Sequence, residues 1–179
     1  MGLNSAESLL ESMIYEIEEY GLPTEKYHNH NPSLQNLELI FNKFHVIARS
    51  LKNRRDKQTP LEIKDEYDLQ YLMKALLSLY FDHITEEPPI PSSAGGGSRA
   101  DFWLKSEKIL IETKKTRESH TDKKIADELI IDKERYQSLP DCKMLICFVY
   151  DPDERLRNPH GLEKDLSSSN FKVYIRPIP

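Results

Sequence analysis

Asp101, Glu112 and Lys114 are the residues of this 179-residue chain whose types and spacing could do chemistry. Two extended runs, Ala100–Lys105 and Lys108–Lys114, flank Ser106–Glu107, a two-residue connection of the kind that closes a β-hairpin. With that turn Lys105 faces Lys108, Trp103 faces Leu110, and Asp101 faces Glu112. Side chains alternate along a strand, so Asp101, Glu112 and Lys114 project from one face. Two carboxylates directly across a ladder, with Cβ atoms roughly 5 Å apart, repel each other. A fold tolerates them when a cation sits between, and hard divalent metals take such an oxygen pair. Lys114 adds a positive charge on the same face, so the set suits a metal, a phosphate and an activated water.

The elements that must hold this hairpin follow from apolar periodicity and breaker residues. Asn4 and Glu7 form a capping-box start for a first helix with stripe Leu9, Leu10, Met13, Ile14 and Ile17, stopped by Gly21 and Pro23. His28 and His30 fall in the loop that follows and read as solvated histidines rather than a metal pair. Asn31-Pro32 opens a second helix, with Leu34, Leu37, Ile40, Phe41, Phe44, Ile47 and Leu51 in helical period to about Lys52. Arg49, Lys52, Arg54, Arg55 and Lys57 cluster at and beyond its end. Two readings fit that cluster, a solvated helix terminus and a phosphate-backbone contact.

Thr59-Pro60 breaks the chain, and a third helix is expected from about Lys64 to Ile84, with Leu69, Leu72, Met73, Leu76 and Tyr80 in its stripe. Residues 86–99, EEPPIPSSAGGGSR, read as loop, and the absence of Gly-Lys-Ser/Thr excludes a P-loop. Arg99, beside Asp101, stands either in a flexible linker or within reach of a DNA phosphate. Beyond the hairpin a helix is expected from about Asp122 to Ser138, preceded by the cations Lys115 and Arg117. Lys143–Tyr150 is a nearly unbroken apolar run, the mark of a central buried strand. Asp151-Pro152 turns the chain, Asn158 caps a short helix over 159–168, and residues 172–178 form a last strand.

Composition bounds the partners. A net charge of −5 argues against a protein that coats nucleic acid electrostatically, while leaving room for a local basic groove. No apolar run approaches a membrane span, no signal-peptide pattern opens the chain, and Cys142 and Cys147 lack a zinc spacing or a pairing geometry. The expected compartment is the cytoplasm.

Asp101 followed by Glu112-Thr113-Lys114 on the next strand resembles the signature of the PD-(D/E)xK nuclease superfamily. The words DEYDLQ at 65–70, SRADF at 98–102, IETKKTR at 111–117, FVYDP at 148–152 and NPHGLEKDL at 158–166 are similar to its DpnII/MboI-like restriction endonuclease branch. The resemblance covers roughly Phe41 to Pro179. It implies an α/β, restriction-endonuclease-like core, a small mixed β-sheet flanked by helices. Residues 61–179 would form the nuclease domain and residues 1–60 an N-terminal helical extension for dimerisation or partner contact. A further strand is expected before the one bearing Asp101, yet the segment there reads as a poor strand.

The resemblance also implies roles. Asp101 and Glu112, with the backbone carbonyl of Thr113, would bind Mg²⁺, for which Mn²⁺ should substitute. Lys114 would position or help deprotonate water, with its pKa lowered by the dication. Glu66 is the candidate further metal ligand, or else an ordinary first-turn acid, and Gln70 either orients a neighbour or touches a ligand. Asp132 and Tyr136 stand where RecB-like nucleases carry a supporting Gln…Tyr pair, with Asp in place of Gln. Arg99, Lys115, Arg117, Arg54 and Arg55 are the expected DNA contacts. The implied function is metal-dependent DNA cleavage in bacterial restriction or antiphage defence, as a homodimer or within a larger defence complex. An RNase, or an inactive or partner-activated interaction subunit, are the alternatives.

Overall fold

The computed structural model describes Tyr15 and residues 31–53, 55, 58–90, 98–136 and 141–178. The helix expected from Asn4, the loop with His28 and His30, Arg54, Lys57 and residues 91–97 lie outside the described residues. Helix α1 is Pro32–Lys52 and helix α2 is Glu66–Leu77. Strands β1 (Ile84–Glu86), β2 (Pro89–Ile90), β3 (Ser98–Arg99), β4 (Phe102–Leu104) and β5 (Ile109–Lys115) follow. Helix α3 (Asp122–Tyr136), strand β6 (Met144–Tyr150), helix α4 (Pro159–Leu166) and strand β7 (Phe171–Arg176) complete the order.

Five strands form one mixed sheet in the order β1-β4-β5-β6-β7. The β1-β4-β5 half is antiparallel, and β5, β6 and β7 run parallel, joined through α3 and α4. The hairpin register is the one its sequence implies: Trp103 pairs with Leu110 and Phe102 with Ile111. Lys108 donates its N–H to the Lys105 carbonyl (3.3 Å) and takes φ 58°, closing the turn. The ladder stops at Phe102, so Asp101 lies one step beyond it, across from Glu112.

Strand β6 shows why the sheet has two covered faces. Ile146, Phe148 and Tyr150 join one apolar cluster, and Leu145, Cys147 and Val149 the other. The first cluster is roofed by α1 and α2 through Leu37, Phe41, Phe44, Leu69 and Met73. Phe41 stacks on Phe148 at 4.9 Å between ring centroids, and Phe44 lies 5.1 Å from it. The second is covered by Ile125 and Leu129 of α3, with Leu162 and Leu166 of α4 against it. The result is a three-layer α/β/α arrangement. Residue 147 is buried and Cys142 half-buried, and both are free thiols.

Helix α2, the third helix expected from the sequence, is shorter than its apolar stripe predicts. It is capped by Asp65, whose side chain accepts the Asp68 N–H (3.0 Å), and ends at Leu77 rather than near Ile84. The stripe fails at Tyr80, which is 44% exposed, next to Leu79 at 71%. Ile84–Glu86 instead pairs with β4 and covers an edge that would otherwise be open. This is the further strand before Asp101, present but only three residues long. Within the proline- and glycine-rich segment, Pro89–Ile90 and Ser98–Arg99 also pair as a two-stranded ribbon.

Because α1 contributes aromatic rings to the core, Phe41→Ala should destabilise the protein by about 3–5 kcal/mol. Urea unfolding measures this, and an unchanged midpoint would show that α1 does not hold the sheet.

Candidate active site

Asp101 sits at the edge of the sheet, immediately before the first residue of β4. Its Oδ2 accepts the Thr113 N–H (2.7 Å) and the Thr113 hydroxyl (2.5 Å), and its Oδ1 accepts Gln70 Nε2 (2.7 Å). Gln70 therefore orients Asp101 from α2, the first of the two roles open to it. In a strand the N–H and C=O of one residue point to the same side. The Thr113 carbonyl thus faces the same open edge as the N–H that holds Asp101.

Glu112 and Lys114 project from β5 toward α3. The Tyr136 hydroxyl donates to Glu112 Oε2 (3.0 Å) and also reaches the Arg99 carbonyl (3.3 Å). One turn back, Asp132 is buried at 4% exposure and lies 2.7 Å from Lys114 Nζ through its Oδ2. The structure thus brings Asp101, Thr113, Glu112, Lys114, Gln70, Asp132 and Tyr136 together. Asp at position 132, where the resemblance has Gln, makes an ion pair rather than an amide contact.

The outer residues are arranged differently. Glu66 pairs with Arg117 at 3.0 Å, though its charge still acts on Asp101. Arg99 pairs with Glu87 at 2.6 Å on the surface. Lys115 follows Lys114 on β5 and so points to the opposite face. Arg55 is exposed, and Arg54 lies outside the described residues. The contribution of Thr113 through its N–H and hydroxyl had no sequence signal, because the resemblance marks that position only by its carbonyl.

Burial dominates the electrostatics. It raises Asp101, partly offset by the two Thr113 hydrogen bonds and the Lys114 charge. Burial, then the Asp101 and Asp132 carboxylates, push Glu112 from 4.5 up to about 8. For Lys114 burial acts downward and is the largest single influence, but the charge and hydrogen bond of Asp132, with Glu112 and Cys147, together outweigh it and hold the ammonium above its ordinary value. The lowered Lys114 pKa expected beside a dication is therefore not produced by this chain's own groups.

Two buried carboxyl groups that resist ionisation beside each other are what a hard cation relieves. Among the described residues Oδ1 of Asp101 keeps a lone pair beyond its Gln70 bond, and Glu112 Oε1 accepts no hydrogen bond. No group of three or more His, Cys, Asp or Glu residues is arranged as a cage among the described residues.

A family model described as the DpnII-MboI restriction endonuclease (REase_DpnII-MboI) matches residues 35–179. No curated protein and no solved structure matches.

The raised Glu112 pKa sets a pH dependence. Between about pH 4.5 and 8 the folded protein keeps a proton that the unfolded chain releases, so stability in EDTA should fall as pH rises. The loss is on the order of a few kcal/mol, and Glu112→Gln should flatten most of the slope. Denaturant midpoints at pH 5, 6.5 and 8 check this. A wild-type midpoint that holds or rises over that range would contradict the buried, repelled carboxyl.

Proposed function

The chain belongs to the DpnII-MboI restriction endonuclease family and is a DNA-cleaving enzyme, and from that premise we propose Mg²⁺-dependent phosphodiester hydrolysis at the Asp101–Glu112–Lys114 site. The observation that carries the reading is the pair of buried, mutually repelling carboxyl groups with an ammonium beside them. Asp101 and Glu112, with the Thr113 carbonyl, would hold the cation, and Mn²⁺ should replace Mg²⁺. The bound cation supplies positive charge that acidifies water and neutralises charge gathering on the phosphate.

The chain's own groups fix everything else. Gln70 and Thr113 lock the Asp101 rotamer, and Tyr136 locks that of Glu112, so the donors are set before DNA arrives. Asp132 keeps Lys114 charged and oriented, which suits it to hold water in place and to face the negative transition state. That favours positioning over proton abstraction for Lys114. In the reaction a water oxygen bonds to phosphorus and gives up a proton to solvent, the bond from phosphorus to the leaving sugar oxygen breaks, and that oxygen takes up a proton from solvent to leave as the sugar hydroxyl.

The enzyme would serve restriction or antiphage defence in the cytoplasm. Cutting both strands of a duplex calls for two copies of the site, hence a dimer or a larger complex.

Cleavage of supercoiled plasmid tests the reading. Nicking or linearisation should require Mg²⁺ or Mn²⁺ and stop in EDTA. Asp101→Asn should abolish it, and Lys114→Ala should slow it by about 10²–10³-fold, the usual effect of removing one transition-state donor. Cutting in EDTA, or full activity in Asp101→Asn, would overturn the assignment.

A further inference from the structure

Outside this site, cations converge at the carboxyl ends of β5 and β6, on the face away from Lys114. A cavity of about 520 Å³ is lined there by Arg49 and Lys52 from the last turns of α1, and by Lys115 from β5. In open α/β sheets the carboxyl ends of parallel strands are where ligands bind. Lys115 and Tyr150 are partners across the β5–β6 ladder at that end. The Tyr150 hydroxyl lies 3.2 Å from His45 Nδ1, which places a polar, uncharged wall beside the cations. Burial and the nearby Arg49 charge keep the imidazole below its ordinary pKa.

Each acid of the cavity has a cation partner, and one of those partners, Lys52, itself lines the cavity. Glu62 pairs with Lys52 at 3.2 Å, and Asp153 with Arg155 at 3.0 Å. Arg49 and Lys115 have no carboxylate partner among the described residues. The end of α1 favours a cation, but it accounts for Arg49 alone and not for Lys115 arriving from the sheet. Two unpaired cations from separate elements, in a concave polar site of a chain with net charge −5, form an anion site. A guanidinium fork beside an ammonium suits phosphate oxygens.

We propose that this cavity is a phosphate subsite that takes a phosphodiester of the bound DNA strand other than the one that is cut. It rests on the reading of the chain as a DNA nuclease, and it places Arg49 and Lys115 in one contact with the backbone, with the Lys52–Glu62 pair at its rim. Lys114 and Lys115 then divide the labour of one strand end. One faces the reacting phosphate, and the other holds a neighbouring stretch of backbone.

The test is the salt dependence of duplex binding, with Ca²⁺ in place of Mg²⁺, by fluorescence anisotropy of a labelled oligonucleotide. The double variant R49Q/K115Q should lower affinity at low salt by tenfold or more. It should also make the slope of log K against log [salt] shallower by about one, as expected for one lost phosphate contact. The charge-retaining pair R49K/K115R should keep most of the wild-type slope. Lys43→Gln, which removes an exposed charge from α1 outside the cavity, should leave the slope unchanged. Thermal melts of each variant control for folding, and R49Q alone, on an exposed helix end, gives a second reading with a smaller change. If R49Q/K115Q keeps the wild-type slope, or Lys43→Gln changes it equally, the subsite is wrong and the nuclease reading stands. If the wild type itself fails to bind duplex, both fall.

Discussion

The structure turns on two carboxyl groups set against each other at the broken edge of a buried sheet. Burial disfavours the charged form of both, and the Asp101 carboxylate pushes Glu112 further, up to about 8. Every neighbour is arranged around that strain. Thr113 gives Asp101 both its N–H and its hydroxyl, Gln70 reaches in from α2, and Tyr136 does the same for Glu112 from α3. Lys114 brings a counter-charge that would itself be strained without Asp132. Each layer of the fold thus contributes a restraint, and the early end of β4 leaves the opening between them.

The layers explain why a small sheet suffices. Strand β6 is buried on both faces, so α1 and α2 can pack on one side while α3 and α4 pack on the other. The site lies at the rim where α2, β5 and α3 approach. Helix α3 serves both purposes: Ile125 and Leu129 anchor it on the sheet, and Asp132 and Tyr136 use the same face for the site.

Much of this was legible in the sequence because it depends on period and register. A two-residue turn with alternating side chains is enough to place Asp101 opposite Glu112, and the apolar run over 143–150 could only be a central strand. The helical stripe of α1 was equally plain, but which surface it covers depends on Phe41 meeting Phe148, more than a hundred residues away. Helix α2 ends before its stripe does because Tyr80, which continues the period, faces solvent beside the exposed Leu79. Strand β1, the further strand implied by the resemblance, has no position legible in the sequence because three residues carry no alternation to read. The residue types of the Lys114–Asp132 pair and of the basic cavity stand in the sequence, but not their meeting, since charge type gives no distance between helix and strand.

Metal binding to the chain without DNA tests the central claim most directly. Mn²⁺ titration followed by electron paramagnetic resonance should show a bound ion at one site per chain, displaced by Mg²⁺. The site should be lost in the double variant D101N/E112Q. Undiminished Mn²⁺ binding by that variant would place the cation elsewhere and contradict the account of the carboxylate pair.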